Sequence, residues 1–455
     1  MPGTLISTAC KPEHKQLLIR FRKMKKLALI SILLLAVLTA CDKNTEPAPG
    51  ERPEERLSQA LAAYKSQLTS APYGWKAVLY PAGGGGYNFV LKFTESDRVV
   101  MSSDINSSTT TAMESTYRLK TMQRPSLLFD TYSYLHILSD PDAAVSGGDY
   151  GAGRYSDFEF SFTEASPDQI ILTGNMMGSK LVLTRATQEE ASSYITDVQA
   201  SAATIGNLSR FTSYFKRLTI GSTAFDININ HENRALIIYY FEGDAARMFT
   251  TNFNYTANGI QLQEPFVYGD ITITAFSNVQ YNAAANRFNL NINSTTATIQ
   301  EAARPVKVDV QSARTFYNLG VEYWVSLTGF TVNGVEDALN TRSLPNLYFI
   351  GYWPQYDVYQ NRTYDLLGFV FLDPSTNSLQ LEYGAAATTT LSSDGRIVFS
   401  RLGTLGEIPE THNTVLNATM NQWTISQGYY VIKTGESSYD LVSAQDGKAW
   451  LSLYR

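Results

Sequence analysis

The residue whose chemistry is best defined by its neighbours is Cys41. It follows Leu38-Thr39-Ala40, and ahead of that lie a basic patch, Lys25-Lys26, and an apolar run from Leu27 to Leu38 broken only by Ser31. A basic start, an apolar segment of roughly 7–15 residues and small residues before a cut describe a secretory signal. The run is well short of the roughly 20 residues that a spanning helix needs. In the Leu-Thr-Ala-Cys pattern small residues let the chain lie extended in a peptidase, and the thiol is the nucleophile that takes a diacylglyceryl group. Cys41 is therefore the expected lipidation site; a signal cut without lipidation and a spanning anchor are the plainer alternatives. Met24-Lys25-Lys26 reads as the native start, which makes residues 1–23 an upstream extension and residues 24–40 the signal. Ser7-Thr8-Ala9-Cys10 imitates the pattern, but no apolar segment precedes it.

Other chemistry-bearing spacings are weaker. Ser213-x-x-Lys216, Ser375-x-Asn377 and Lys433-Thr434-Gly435 occur in the order of a penicillin-binding serine enzyme. Each motif is short, the serine should open a buried helix, and sheet signals follow it closely, so a helix end, a turn and a strand end are the expected reading. Asp226-x-Asn228-x-Asn230 resembles the start of a calcium loop, but His231 stands where glycine is required and Ile237 where glutamate is. His136, His231 and His412 are far apart and lack a zinc-protease spacing, so no metal site is expected. The Gly83–Gly86 run is followed by strand rather than helix, which argues against a phosphate cradle. Asp140 and Asp142 flank a turn proline, and Glu189 and Glu190 suit the first turn of a helix. No catalytic set and no cofactor is expected, although a glycosidase pair could still assemble from distant strands.

The best candidate ligand surface is aromatic. Residues 348–364 gather Tyr352, Trp353, Tyr356 and Tyr359 with Tyr364, around Pro354, Gln355, Asp357, Asn361 and Arg362. Rings beside amides and carboxylates suit stacking on a glycan or a peptide. The plainer reading is a loop whose aromatics pack back onto sheets. Trp75, Tyr87, Tyr132 and His136 are read as core.

The elements that must position these residues are mostly strands. Asp42 to Glu54 holds three prolines and no apolar period, so residues 41–55 read as anchor and tether. Thirteen extended residues reach at most about 45 Å. Leu57, Leu61, Tyr64 and Leu68 then predict an amphipathic helix over 56–70. From Trp75 the period becomes two, and 75–80 and 87–93 predict a hairpin around the glycine turn. Further strands are expected at 117–122, 134–138, 157–163, 169–173 and 181–184. Thr187-x-x-Glu190 predicts a capped helix continuing through Val198 and Ile205, interrupted at Gly206 and resuming to about 217. Strict alternation in 225–230 and 288–293 predicts antiparallel sheet with one wet face. Arg304-Pro305 reads as a boundary. Beyond it strands are expected near 323–327, 347–352, 366–372, 379–383, 429–433 and 449–453, with a short helix at 409–420. The division is thus 56–300, with a helical insert at 187–217, and 301–455. The fold class is mainly β, with antiparallel sheets in two or three sandwich-like or barrel-like units.

Composition narrows the function classes. Removing residues 1–40 takes away seven of 36 Lys and Arg but only one of 42 acids, leaving a net charge of −12. That argues against nucleic-acid binding, which depends on cationic neutralisation of phosphates. Cys10 and Cys41 are the only cysteines, so the processed chain has no disulfide and folds by burial alone. Charged residues are 17%, against about 25% in ordinary domains, while 28 tyrosines favour pleated sheet.

Several phrases together resemble one family. They are Gly74-Trp75 with Tyr80-Pro81, the glycine turn, Phe89 and Phe93; Phe129-Asp130-Thr131-Tyr132 with His136 and Asp140-Pro141; Tyr255-Thr256 with Gly259-Ile260; and Trp450. They are similar to the Bacteroidetes-type lipoproteins catalogued as domain of unknown function 4302, over roughly 56–299 and more loosely beyond. One departure is an insertion with Gly151 and Gly153, which separates Gly147-Gly148-Asp149-Tyr150 from Glu159-Phe160. The family has no established activity, so no functional residue carries over. The resemblance implies an accessory of outer-membrane nutrient uptake, exposed at the cell surface. Its expected partners are the membrane, through the lipid, and a TonB-dependent transporter with its lid lipoprotein. A surface hydrolase with dispersed carboxylates or a metal, and a scaffold that contacts only proteins, are the alternatives.

Overall fold

The computed structural model describes residues 53–455; the expected signal and the anchor at Cys41 lie outside the described residues. Helix α1 (Pro53–Thr69) covers the predicted amphipathic stretch. Within it Leu68 is buried and Tyr64 stacks on Phe162 at 3.8 Å. The following turn places Trp75 against the helix end, where its indole N–H donates to the Leu68 carbonyl at 2.9 Å.

Alternation then builds two closed barrels and a third, barrel-like sheet. The first comprises β1 (Trp75–Tyr80), β2 (Tyr87–Phe93), β3 (Arg98–Ser103), β4 (Met113–Thr121), β5 (Pro125–Phe129), β6 (Glu159–Ser166), β7 (Gln169–Gly174) and β8 (Lys180–Arg185). It closes because β8 pairs back onto β1, Leu181 opposite Leu79. Between β5 and β6 lie two short helices, α2 (Tyr134–Ile137) and α3 (Ala143–Ser146). The strand expected over 134–138 is therefore a helical turn: Ser133 and His136 cap it reciprocally, and this local hydrogen bonding outcompetes the apolar alternation. The inserted glycines form their own tight turn, in which the Asp149 and Gly153 amides each donate to the other's carbonyl.

Helix α4 (Gln188–Ile205) starts at the predicted box, with Thr187 and Glu190 each satisfying the other's backbone N–H. The helical segment does not resume to 217. A short 3-10 turn ends at Arg210, and the chain turns to strand at Phe215, because Leu218 and Ile220 fill a second barrel interior. That barrel comprises β9 (Phe215–Ile220), β10 (Thr223–Asn230), β11 (Ala235–Glu242), β12 (Ala245–Thr256), β13 (Gly259–Tyr268), β14 (Ile271–Asn282), β15 (Arg287–Ile292) and β16 (Thr295–Ala302). It closes through β16 onto β9. Both interiors are packed with Leu, Ile, Val and Phe, while outward positions such as Asn228 and Asn230 are wet. This is the reverse of a membrane-spanning barrel, which turns its apolar side to lipid.

After α5 (Ser312–Tyr317) the third sheet uses β17 (Trp324–Ser326), β18 (Phe330–Val332), β19 (Leu347–Tyr359), β20 (Arg362–Asp373), β21 (Ser378–Leu391), β22 (Arg396–Leu405), β23 (Tyr429–Lys433), β24 (Ser438–Ser443) and β25 (Ala449–Tyr454). Val325 pairs with Tyr454, which joins β17 to β25 and brings the ends of the sheet together, while β18 adds beside β25. Helix α6 (Glu410–Trp423) lays Leu416, Met420 and Trp423 into this core. The chain is mainly β, antiparallel, in three barrel-like units.

A buried polar knot joins the first two barrels. Arg234 pairs with Asp104 at 2.9 Å and also donates to the carbonyls of Gly86 and Asp104. Its guanidinium lies over the rings of Tyr87 (4.3 Å) and Tyr255 (5.1 Å). Asn88 donates to Asp104 from both its backbone and its side chain, and accepts from Tyr194 of α4. The glycine turn is part of this contact. A Cβ on Gly86 would stand 2.6 Å from the Tyr80 ring and 2.9 Å from Asn254, so only glycine lets the second barrel approach.

Candidate functional site

The aromatic segment is a hairpin, not a loop, and it divides the four candidate rings. Tyr352 is wholly buried in the third core, its hydroxyl on Asp365 at 2.8 Å. Trp353 lies flat over Gly351 and Gly368, where any Cβ would strike the indole, and stacks with Tyr323 at 5.3 Å. Tyr356 and Tyr359 are exposed near the hairpin tip, Tyr356 against Tyr364. They form no pocket with Tyr352. Of the four residues read as core, Trp75 and Tyr87 are buried, but Tyr132 is exposed and stacks on His136, whose other neighbour is Phe158 at 4.4 Å. Tyr132 sits in the turn before α2, where no sheet covers it. Burial lowers the His136 pKa, partly offset by the Ser133 backbone.

A concavity lies elsewhere. A cleft of about 490 Å³ opens where β10 and β11 part, walled by β12, by the connection Pro305–Lys307 and by β23 with its following turn. Alternation explains its make-up. Phe225 and Ile227 point into the second barrel, so Asp226 and Asn228 point out; the cross-strand neighbour of Asp226 is Tyr239. Tyr240, Phe241 and Tyr268 supply further aromatic wall, and Val431, Ile432, Lys433 and Glu436 the side from the third barrel.

The polar floor is mostly committed. Asp226 accepts from the Val306 amide at 2.6 Å and from Arg217 at 3.3 Å. Burial raises its pKa, and those two donors offset part of the rise. Lys307 lies over Phe241 at 4.8 Å and binds the Gly243 carbonyl and Asp244, both at 2.8 Å, so 305–307 straps β10 to the β11–β12 turn. Tyr214 donates to Asp440 of β24 at 2.7 Å. The Tyr239 hydroxyl is buried beside them, next to the Tyr214 hydroxyl, and burial raises its pKa. Lys433 and Glu436 have no side-chain partner among the described residues.

Asp440 offers a test of this burial. Desolvation raises its pKa above the ordinary 3.8, against the lowering effect of the Tyr214 and Ser452 hydroxyls. The folded chain thus ionises this carboxyl at higher pH than the unfolded chain does. Its contribution to stability is full below 3.8 and is lost as pH rises through the folded value. Asp440→Asn, which still accepts from Tyr214, is expected to melt higher than the parent at neutral pH and to show no gain below that point. Thermal melts across the acid range check it.

The other tested constellations resolve structurally. Ser213 precedes strand β9, its amide bound by Glu301, and Lys216 donates to the Tyr214 carbonyl, so no helix carries the Ser-x-x-Lys pair. Ser375 and Asn377 form the β20–β21 turn on Asp373, while Lys433 and Gly435 only line the cleft. Asp226 to Asn230 is strand. Among the described residues no group of three His, Cys, Asp or Glu is placed to hold a metal. Asp226 and Tyr239 were missed as site residues; the signal available was an acid amid alternating apolar residues opposite a tyrosine-rich strand.

Fold and cleft define a class: a mainly β chain of three barrel-like units with a ligand-sized cleft beside the second. The chain belongs to the family described as Domain of unknown function (DUF4302), whose model matches residues 50–283. The resemblance read from Gly74-Trp75 and Phe129–Tyr132 is thus membership. Two solved structures are similar to parts of it. One is the octameric penicillin-binding protein homologue from Pyrococcus abyssi, 8% identical with a TM-score of 0.15, covering 34% of this chain and 38% of that one. The other is DNA polymerase III subunit beta from Borrelia burgdorferi in complex with a natural product, 10% identical with a TM-score of 0.12, covering 88% and 96%. At such scores neither carries an argument about function. No curated protein matches.

Proposed function

We propose that the chain is a non-enzymatic lipoprotein of the outer membrane, facing outward, that holds a ligand in the inter-barrel cleft as an accessory to a nutrient transporter. The observation that supports it most is the cleft itself: about 490 Å³ and aromatic-walled. Pockets of this size and lining suit small ligands. The Leu38–Cys41 pattern and the proline-bearing tether supply the anchor, and the family resemblance supplies the transporter context. The hydrolase alternative needs converging free carboxylates, whereas Asp226 and Asp440 are each engaged by donors that link strands or barrels.

Two measurements test this reading. Protease added to intact cells is expected to digest the barrels, and Cys41→Ala to release the protein from the membrane; protection until lysis, or a variant still anchored, would overturn the address. Saturation-transfer NMR against pools of short peptides and oligosaccharides is expected to reveal ligands that a cleft-filling Ala246→Trp abolishes. Failure to find any such ligand in either pool overturns the binding role.

A further inference from the structure

We infer that the occupant of the cleft is a short peptide in extended conformation, taken up as an added strand between β10 and β11. This rests on reading the cleft as a binding site. The carrying observation is a break in the ladder between β10 and β11, on the side of the second barrel that faces the cleft. On one side β10 is paired with β9 from Thr223 onward. On the other, its pairing with β11 begins only at Asp226, opposite Tyr239. Beyond that point β11 runs on to Glu242, paired with β12 alone. Thr223–Phe225 and Tyr240–Glu242 therefore face one another across the cleft with no ladder partner on that side.

In an antiparallel sheet, alternate residues direct N–H and C=O to each neighbouring strand. Both edges consequently present backbone donors and acceptors to the gap. The Phe241 carbonyl takes the Tyr268 hydroxyl at 3.2 Å. Among the described residues no backbone hydrogen bond from the 305–307 strap enters the gap. Backbone groups at a partly covered site need partners, and a peptide strand supplies alternating donors and acceptors to both edges at once. Three residues at about 3.3 Å each make an edge of about 10 Å, the length of a three- or four-residue segment.

The aromatic wall favours the same chemistry. A sugar needs an open ring face to stack on. Here the rings pack edge to face, Phe225 on Tyr268 at 5.4 Å and 90°, Tyr240 on Tyr268 at 5.8 Å and 74°. What they offer is an uneven apolar surface, suited to alternate apolar side chains of an inserted strand, with Ile432 of β23 facing the others.

The test uses the intact protein and capped pentapeptides that alternate threonine with valine, leucine or phenylalanine. Binding is expected in the submillimolar range. Amide exchange is expected to slow at Thr223–Phe225 and Tyr240–Glu242 and not elsewhere in the barrel wall. Copies N-methylated at every second residue, in either phase, lose the backbone donors to one edge and are expected to bind about tenfold more weakly or worse. Because the change is made in the ligand, the protein fold is untouched. Equal binding of the methylated copies, or unchanged exchange at both edges, overturns the inference. Oligosaccharides bound in the cleft where no peptide binds would overturn it and leave the binding role standing; absence of any cleft ligand overturns both.

Discussion

Arg234→Ala is expected to cost roughly 3–5 kcal/mol, because it strands a buried carboxylate. Arg234 and Asp104 have side chains only 7% and 2% exposed, and no solvent reaches the pair to replace the lost guanidinium. The substitution also removes donors from the Gly86 and Asp104 carbonyls and the cation from between Tyr87 and Tyr255. Apart from the Tyr255 contact, which lies within the second barrel, these links join the first barrel to the second, so the loss should appear there. Hydrogen exchange is expected to rise in β2, β3 and β12, while β19 to β21 keep their protection. The paired change Asp104→Asn with Arg234→Met, which takes out both charges, should cost clearly less than Arg234→Ala alone. An equal cost for the two would show that the effect is packing, not an uncompensated charge.

The second large effect is expected at Asp365, in the third barrel. Its carboxylate is 1% exposed and accepts from Tyr352 at 2.8 Å, Tyr317 at 3.1 Å, the Gln355 amide at 2.8 Å and the Thr389 hydroxyl. These four donors come from α5, β19 and β21, and they hold β19 at the register break between Trp353 and Asp357. Asp365→Ala leaves them without their acceptor at once, and the fully buried Tyr352 hydroxyl has no water to turn to. A loss of roughly 3 kcal/mol follows. Asp365→Asn keeps one carbonyl acceptor and should lose about half as much. Exchange protection is the discriminating measurement. It should fall in β19 and β20 and stay unchanged in the first two barrels; a uniform fall would show that the three barrels unfold as one.

These two residues also mark how far sequence reasoning reached. Asp104 and Arg234 are 130 positions apart, and nothing local distinguishes either from a surface charge. Tyr352 was legible as an aromatic with ligand potential, but its burial depends on strands from both flanks closing over it. Tyr134–Leu138 has a strand-like pattern, yet Ser133 and His136 settle it as a helical turn through side-chain capping. Phe215 to Leu218 carries a spacing compatible with helix, and the second barrel claims it as strand, since only that register puts Leu218 and Ile220 inside. The capping box at Thr187, the helix at 410–423 and most strand positions were readable, because each depends on neighbours within a few residues.

By itself the sequence determined the mainly β class, the alternating wet and dry strand faces, the capped helix after the first sheet and the family. All of these are written in periods of two or 3.6 and in short motifs. Tertiary structure alone decided that the sheets close into barrels rather than stack as sandwiches, because closure is a pairing between strands such as β1 and β8, about a hundred residues apart. It alone decided the cleft as well. That site exists because two adjacent strands part after Asp226 and Tyr239 while a third barrel packs nearby, and a hydrogen bond that is not formed leaves no trace in the order of the residues.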